Sequence, residues 1–232
     1  MTTISTALQA VSAIWLHPAA VFTELKQRKH WSWLPFLLVM MLPALVGALY
    51  FDRVDWSWYQ QNFVLPALQG LTPADKEIAL EFSSRATYLW SSLSSVLIGG
   101  ILVAACYGFY LSKMTQLDEE NIQGFGDWFG LCWWTFLPTL VASAIGLLLL
   151  LIGDNQQSPN MVLAPLSIAN LLQLSTEQPW FNLASSVSLT TLWTALLQYK
   201  GVRAWTTLKP LISWVIVLTP YVVLFGIWAA LV

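Results

Sequence analysis

The chain has 232 residues, of which 57% are hydrophobic and only 9% charged, whereas an average soluble domain carries about 25% charged residues. That composition argues against a soluble fold, and a formal net charge of −2 leaves neither a basic footprint for nucleic acid nor an acidic tail. Cys106 and Cys132 fall in or near apolar runs without neighbouring histidines, so they read as small packing residues and not as a disulfide or metal pair.

The first Lys or Arg is Lys26, so no basic region precedes a short apolar stretch and no cleavable signal peptide is expected. Ile4, Leu8, Val11, Ile14 and Trp15 recur at helical spacing, and Val21, Phe22 and Leu25 extend the pattern beyond Pro18. The pattern describes either an amphipathic helix in the membrane interface or one packed against the bundle. Lys26, Arg28 and Lys29 follow as a basic collar suited to anionic headgroups, each worth about 1 kcal/mol near such a surface.

A bilayer core takes about 20 apolar residues per helix. Five charge-free stretches fit: Trp31 to Tyr50, Tyr88 to Leu111, Trp128 to Ile152, Phe181 to Tyr199 and Leu211 to Val232. With the N-terminus inside, the inner face receives Lys26, Arg28, Lys29, Lys113, Lys200, Arg203 and Lys209, and the outer face only Arg53, Lys76 and Arg85. Positive charge therefore favours an inside N-terminus and an outside C-terminus. The expected fold is an all-α integral membrane protein. A cytoplasmic amphipathic segment over 1–30 precedes a five-span bundle over 31–232.

In the first outer loop, Trp56, Trp58 and Tyr59 suit the headgroup boundary. Thr72 can cap a helix with Pro73 at its first position and Asp75 three residues past the cap, and this helix is expected to run straight into the second span as a rigid stalk. The apolar stretch from Met161 to Ser175 follows a polar turn at Asp154 to Asn160 and is too short to span. It reads as an outer interfacial or re-entrant helix, with a sixth span as the alternative.

The spans hold no ionisable carboxylate or base, which argues against ion-coupled transport. Serine and threonine crowd the second span (Ser91, Ser92, Ser94, Ser95) and the fourth (Ser185, Ser186, Ser188, Thr190, Thr191, Thr194). They read as helix contacts or, at Ser95 and Thr191, as candidate polar lining. Gly100, Ala104 and Gly108 form a small-residue packing stripe, against another span or a second subunit. Pro35, Pro43, Pro138 and Pro220 lie inside spans, and each frees a carbonyl that neighbouring helices must satisfy.

On the inner face, Asp118, Glu119, Glu120 and Asp127 oppose Lys200, Arg203 and Lys209. The two loops could clamp together, dock a soluble partner or simply be solvated, and Asp127 could simply cap the third span. His17 and His30 are the only histidines. No nucleophile and base order, phosphate loop or zinc motif accompanies them. No catalytic residue, cofactor or metal site is expected.

The chain resembles the bacterial branch of the Yip family, five-span proteins named for Rab/Ypt-interacting proteins of the eukaryotic secretory pathway. The likeness covers most of the chain. It is carried by His17-Pro18 through Phe22 and Leu25 ahead of Trp31 to Pro35, by Gly124 to Pro138, and by Leu192-Trp193 through Tyr199-Lys200-Gly201 with Ala204. Pro165 to Leu172 followed by Phe181 also fits. The resemblance implies a five-helix bundle with an inside N-terminus in the bacterial inner membrane. The long cytosolic N-terminal region and DLYGP-like motif of the eukaryotic relatives are missing, so Rab binding is not carried over.

The leading functional expectation is a non-enzymatic protein that organises or adapts membrane components, with the bilayer as its first partner and other membrane or cytoplasmic proteins as further candidates. The alternative is a small transporter, channel or lipid-handling protein. A lipid-modifying enzyme would need polar residues clustered at one interface.

Overall fold

A computed structural model describes residues 4–152 and 162–232. Thr6 opens helix α1 (Ala7–Ala13) through a reciprocal capping box with Gln9. Pro18 then takes the first turn of α2 (Pro18–Leu25), where its missing N–H costs nothing. Ala10, Ile14, Val21, Phe22 and Leu25 are buried, whereas Leu8 and Leu16 remain exposed. Of the two readings of this segment, packing against the bundle therefore describes its inner face. The Trp205 indole N–H donates to the Phe22 carbonyl at 2.7 Å.

Four helices among the described residues are long and apolar enough to cross a membrane. They are α3 (His30–Arg53), α5 (Arg85–Leu117), α6 (Phe125–Ile152) and the C-terminal α9 (Pro210–Leu231), with α4 (Pro73–Phe82) ahead of α5 and with α7 (Phe181–Ser186) and α8 (Leu189–Trp205) between α6 and α9. One face of the bundle, here called proximal, gathers α1, α2 and the loops at 118–124 and 206–209. The opposite, distal face gathers residues 54–84 and 162–188.

Glycine sets the closest approaches. A Cβ on Gly108 would lie 2.9 Å from the Phe129 backbone nitrogen, so the Gly100, Ala104, Gly108 stripe packs within the chain, against α6 at its lower end and against Met40 of α3 at Gly100. On the distal face, the Arg85 guanidinium donates to the Asp52 carbonyl at 2.6 Å and the Val54 carbonyl at 2.9 Å, and Arg53 donates to the Leu150 carbonyl at 2.7 Å. These cations neutralise carbonyls left open at helix ends. Phe51, Trp56, Tyr59 and Tyr88 pack against one another on the same face, with Tyr59 and Tyr88 ring centroids 5.5 Å apart.

Two expectations differ from what is found. Thr72 does cap α4, accepting from the Asp75 N–H at 3.3 Å, but α4 does not continue into α5. Ser83 leaves helical geometry at φ −86 and ψ 79, and Ser84 caps α5 by accepting from the Thr87 N–H at 3.1 Å. A fresh cap satisfies backbone groups that a continuous helix would bond to itself, so the stalk is jointed. The apolar run at 181–199 is likewise interrupted. Val187 is extended, and Ser188 with Thr191 forms the capping box that starts α8, which then runs on to Trp205.

The polar turn at 154–160 and Met161 lie outside the described residues. Beyond it, the Val162 carbonyl sits against Gly146, well inside α6, where any side chain on the glycine would collide with it. Ser167 bridges to Ser188, with Ile168 N–H donating to Val187 at 2.9 Å and Leu189 N–H to Leu166 at 3.1 Å. Between them lies the one-turn helix Ile168–Leu171.

Candidate functional site

Nonhelical backbone at membrane depth is tolerated only where protein buries it or where it lines a cavity. In this bundle the irregular points converge. Pro43 interrupts the hydrogen-bond ladder of α3; α5 widens into a π turn over Ser95–Gly99; α6 breaks at Phe136 to Pro138; and α8 begins at Ser188. All four contribute to one widely open groove of 510 Å³. Pro43, Ser95, Phe136 and Ser188 line it together, with Met40, Gly100, Thr139, Ser143 and Ser167.

The hydroxyls of this groove are largely spent on their own helices. Thr139 donates to the Phe136 carbonyl at 2.8 Å and Ser143 to the Thr139 carbonyl at 3.1 Å, while Ser167 accepts from the Asn170 N–H at 3.3 Å. Ser188 and Thr190 bond each other. The Thr139 and Ser143 protons are thereby engaged, most of the remaining lining is apolar, and no carboxylate or base is part of it.

Among the residues singled out from sequence, Ser95 faces this groove. Thr191 instead accepts from the Ser188 N–H at 3.3 Å in the cap of α8. The loop charges are arranged differently from a side-chain clamp. Asp127 accepts from the Gly124 N–H at 3.0 Å and so caps α6; Lys200 lies 5.8 Å from the Tyr199 ring; Arg203 donates to the Leu208 carbonyl; and Lys209 precedes Pro210 at the cap of α9.

The charged contact joining the two loops comes from Asp118. Its carboxylate accepts from the Thr207 N–H at 2.7 Å and the Thr207 hydroxyl at 2.8 Å. The Thr207 N–H is the main cause that holds this carboxyl below its ordinary value. Sequence reasoning also passed over Gln198, which is fully buried in α8 and accepts from the Tyr221 hydroxyl at 2.9 Å. Its one visible signal was an amide standing in an otherwise apolar run.

Four helices long and apolar enough to cross a membrane, packed around an open groove, define a polytopic helical membrane protein. The Yip1 domain model matches residues 12–231, and the chain belongs to the Yip1 family. No curated protein and no solved structure matches it.

Proposed function

We propose that the protein is a non-enzymatic, lipid-handling member of its family that admits a lipid acyl chain sideways into the groove between α3, α5 and α6. The convergence of four backbone irregularities on that groove carries the reading. A volume of 510 Å³ falls within the range of small-ligand sites, about 300–1,000 Å³. Its lining comes from the membrane-spanning helices α3, α5 and α6, so on this reading hydrocarbon chains meet it first. A lining without any carboxylate suits an apolar occupant better than a hard cation, which favours charged oxygen ligands.

The same reading sets the protein in a bacterial inner membrane with five spans and the N-terminus inside, as the distribution of Lys and Arg favours. On it, α8 is the remaining span. Its 17 residues reach about 25 Å at 1.5 Å per residue, short of a hydrocarbon core of about 30 Å, and α7 supplies the difference.

A phospholipid with a photoreactive acyl chain tests the proposal in nanodiscs. Labelling should map to peptides around 136–143 and 95–103, and Ala142→Phe should reduce it severalfold. Labelling spread evenly over the lipid-facing helices, unchanged by Ala142→Phe, overturns it.

A second reading, organisation of partner proteins, is favoured by Leu117 and Ile122, 69% and 85% exposed on either side of Asp118. Exposed apolar side chains flanking an ordered loop suit a docking surface. Site-specific crosslinking from position 122 in native membranes should then capture a discrete protein partner, and lipid adducts alone would exclude it.

A further inference from the structure

A second depression opens at the proximal face. It has a volume of 340 Å³ and lies between the start of α3 and the start of α6, with His30 and Gly126 at its mouth and Trp33, Phe36, Phe129 and Trp133 along its walls. The rings hold one another edge to face, Phe36 to Trp133 at 4.9 Å and Phe129 to Trp133 at 5.5 Å between centroids. Gly126 on α6 leaves its side of the mouth open. A Cβ on Gly126 would have nothing within 4 Å.

Cleft and groove follow the same seam. Along α3 the lining passes from Trp33 and Phe36 to Met40 and Pro43, and along α6 from Phe129 and Trp133 to Phe136 and Thr139. On antiparallel α5, Ile101 belongs to the cleft and Gly100 to the groove. Trp133 of the cleft and Phe136 of the groove meet edge to face, their rings 6.0 Å apart and perpendicular. The seam therefore leads from headgroup level toward the middle of the bilayer.

Charge at the mouth selects the headgroup. From Glu24 to His30 the sequence holds Lys26, Arg28 and Lys29 against the single carboxylate of Glu24. Arg28 lies 3.7 Å from Glu24 with both side chains 42% exposed, and its guanidinium sits 4.7 Å over the Trp31 ring. His30 flanks the same ring at 6.4 Å and lines the cleft. Asp127, which caps α6 through the Gly124 N–H, adds one more carboxylate next to Gly126, so Lys26, Arg28 and Lys29 outnumber Glu24 and Asp127 by one charge; Lys26 also donates to the Trp205 carbonyl at 3.4 Å and Arg28 to the Ser5 carbonyl at 3.2 Å.

We infer that the cleft is the entry site for an anionic phospholipid of the proximal leaflet, with its phosphate at Arg28 and His30 and one acyl chain running along the α3 and α6 seam past Trp133 into the groove. The inference rests on the lipid-handling reading and adds to it a lipid class and a portal. Rings along an interfacial cleft give the chain a rigid apolar wall, and exposed cations reward an anionic headgroup over a zwitterionic one, by roughly fivefold for each basic residue close to it.

The test uses the full chain in nanodiscs of equal phosphatidylglycerol and phosphatidylcholine, with native mass spectrometry reading the retained lipid and a photoreactive phosphatidylglycerol reading groove occupancy. The wild type should retain phosphatidylglycerol severalfold over phosphatidylcholine and be labelled at 136–143. Gly126→Leu, whose Cβ would have nothing within 4 Å, puts a bulky side chain at the mouth and should abolish both, whereas Arg28→Gln should remove the preference and keep the fold. Groove labelling that persists in Gly126→Leu, with no headgroup preference in the wild type, overturns the portal while sparing the lipid-handling reading. Absence of groove labelling in the wild type overturns both.

Discussion

The Tyr110 hydroxyl donates to the Ile216 carbonyl at 2.9 Å, and Ile216 is the residue whose helical partner Pro220 cannot provide an N–H. Tyr107 serves the neighbouring Val217 carbonyl at 3.2 Å. Two tyrosines on α5 thereby complete the hydrogen bonding of α9 at its proline, which ties these helices together where lipid offers no substitute donor.

Tyr110→Phe should therefore destabilise the protein by about 1–3 kcal/mol, the usual cost of leaving a shielded carbonyl unpaired. Pro220→Ala restores the helical donor. The double variant should lose much less than the sum of the single effects, measured as unfolding midpoints in detergent; simple additivity would refute the coupling.

Gly108 is held by backbone, not by pliable side chains. Gly108→Leu should cost 1–3 kcal/mol or more, on the order of other overpacked sites, because Phe129 N and Cα lie 2.9 and 3.0 Å from the added carbon. Gly99→Leu, with nothing within 4 Å, serves as the control and should leave the thermal midpoint nearly unchanged.

Asp118 makes the joint between the two proximal loops pH-dependent. Its carboxyl is depressed in the folded state, chiefly by the Thr207 N–H. Its contribution is therefore complete above an unfolded value of about 3.9 and fades as pH falls through the lower folded value. Thermal midpoints of wild type and Asp118→Asn should differ by a constant amount from pH 5 to 8, and the gap should begin to close only below about pH 3.9, as pH falls toward the lower folded value. A gap that persists into acid would show that the side chain acts by shape and not by charge.

Gly146→Val should eject the segment that begins at Val162, since the new side chain meets the Val162 carbonyl. The measurable outcome is faster proteolysis between residues 162 and 188 at the distal face. Cleavage at the wild-type rate would mean that the segment holds its place through the Ser167 and Ser188 bridge alone.

The presence of α3, α5, α6 and α9 as long apolar helices was legible because sustained apolar runs of that length mark them directly, although α5 runs on to Leu117 past the expected Leu111, and Thr72 and Asp127 announced their caps by type and position. Ser83-Ser84 and Val187-Ser188 misled because a cap inside a continuous run changes no hydropathy. The groove was hidden for a different reason. Pro43, Ser95, Phe136 and Ser188 are far apart in sequence, and only packing brings their irregularities to one depth. Complementary loop charges suggested side-chain pairs, whereas Asp118 takes backbone and hydroxyl donors at Thr207, which bury better than a flexible lysine.

The bond from Trp205 to Phe22 bridges 183 positions of chain. A ribosome needs roughly 10–40 s to supply that distance at ordinary elongation rates. Throughout that interval Val21, Phe22 and Leu25 have been made but their seat on α8 has not, so they rest on the membrane surface or on a chaperone. Docking of the N-terminal helices is then a late event that reports on the insertion of everything before it. A chain halted short of Trp205 would display that apolar face to the quality-control proteases of the cell.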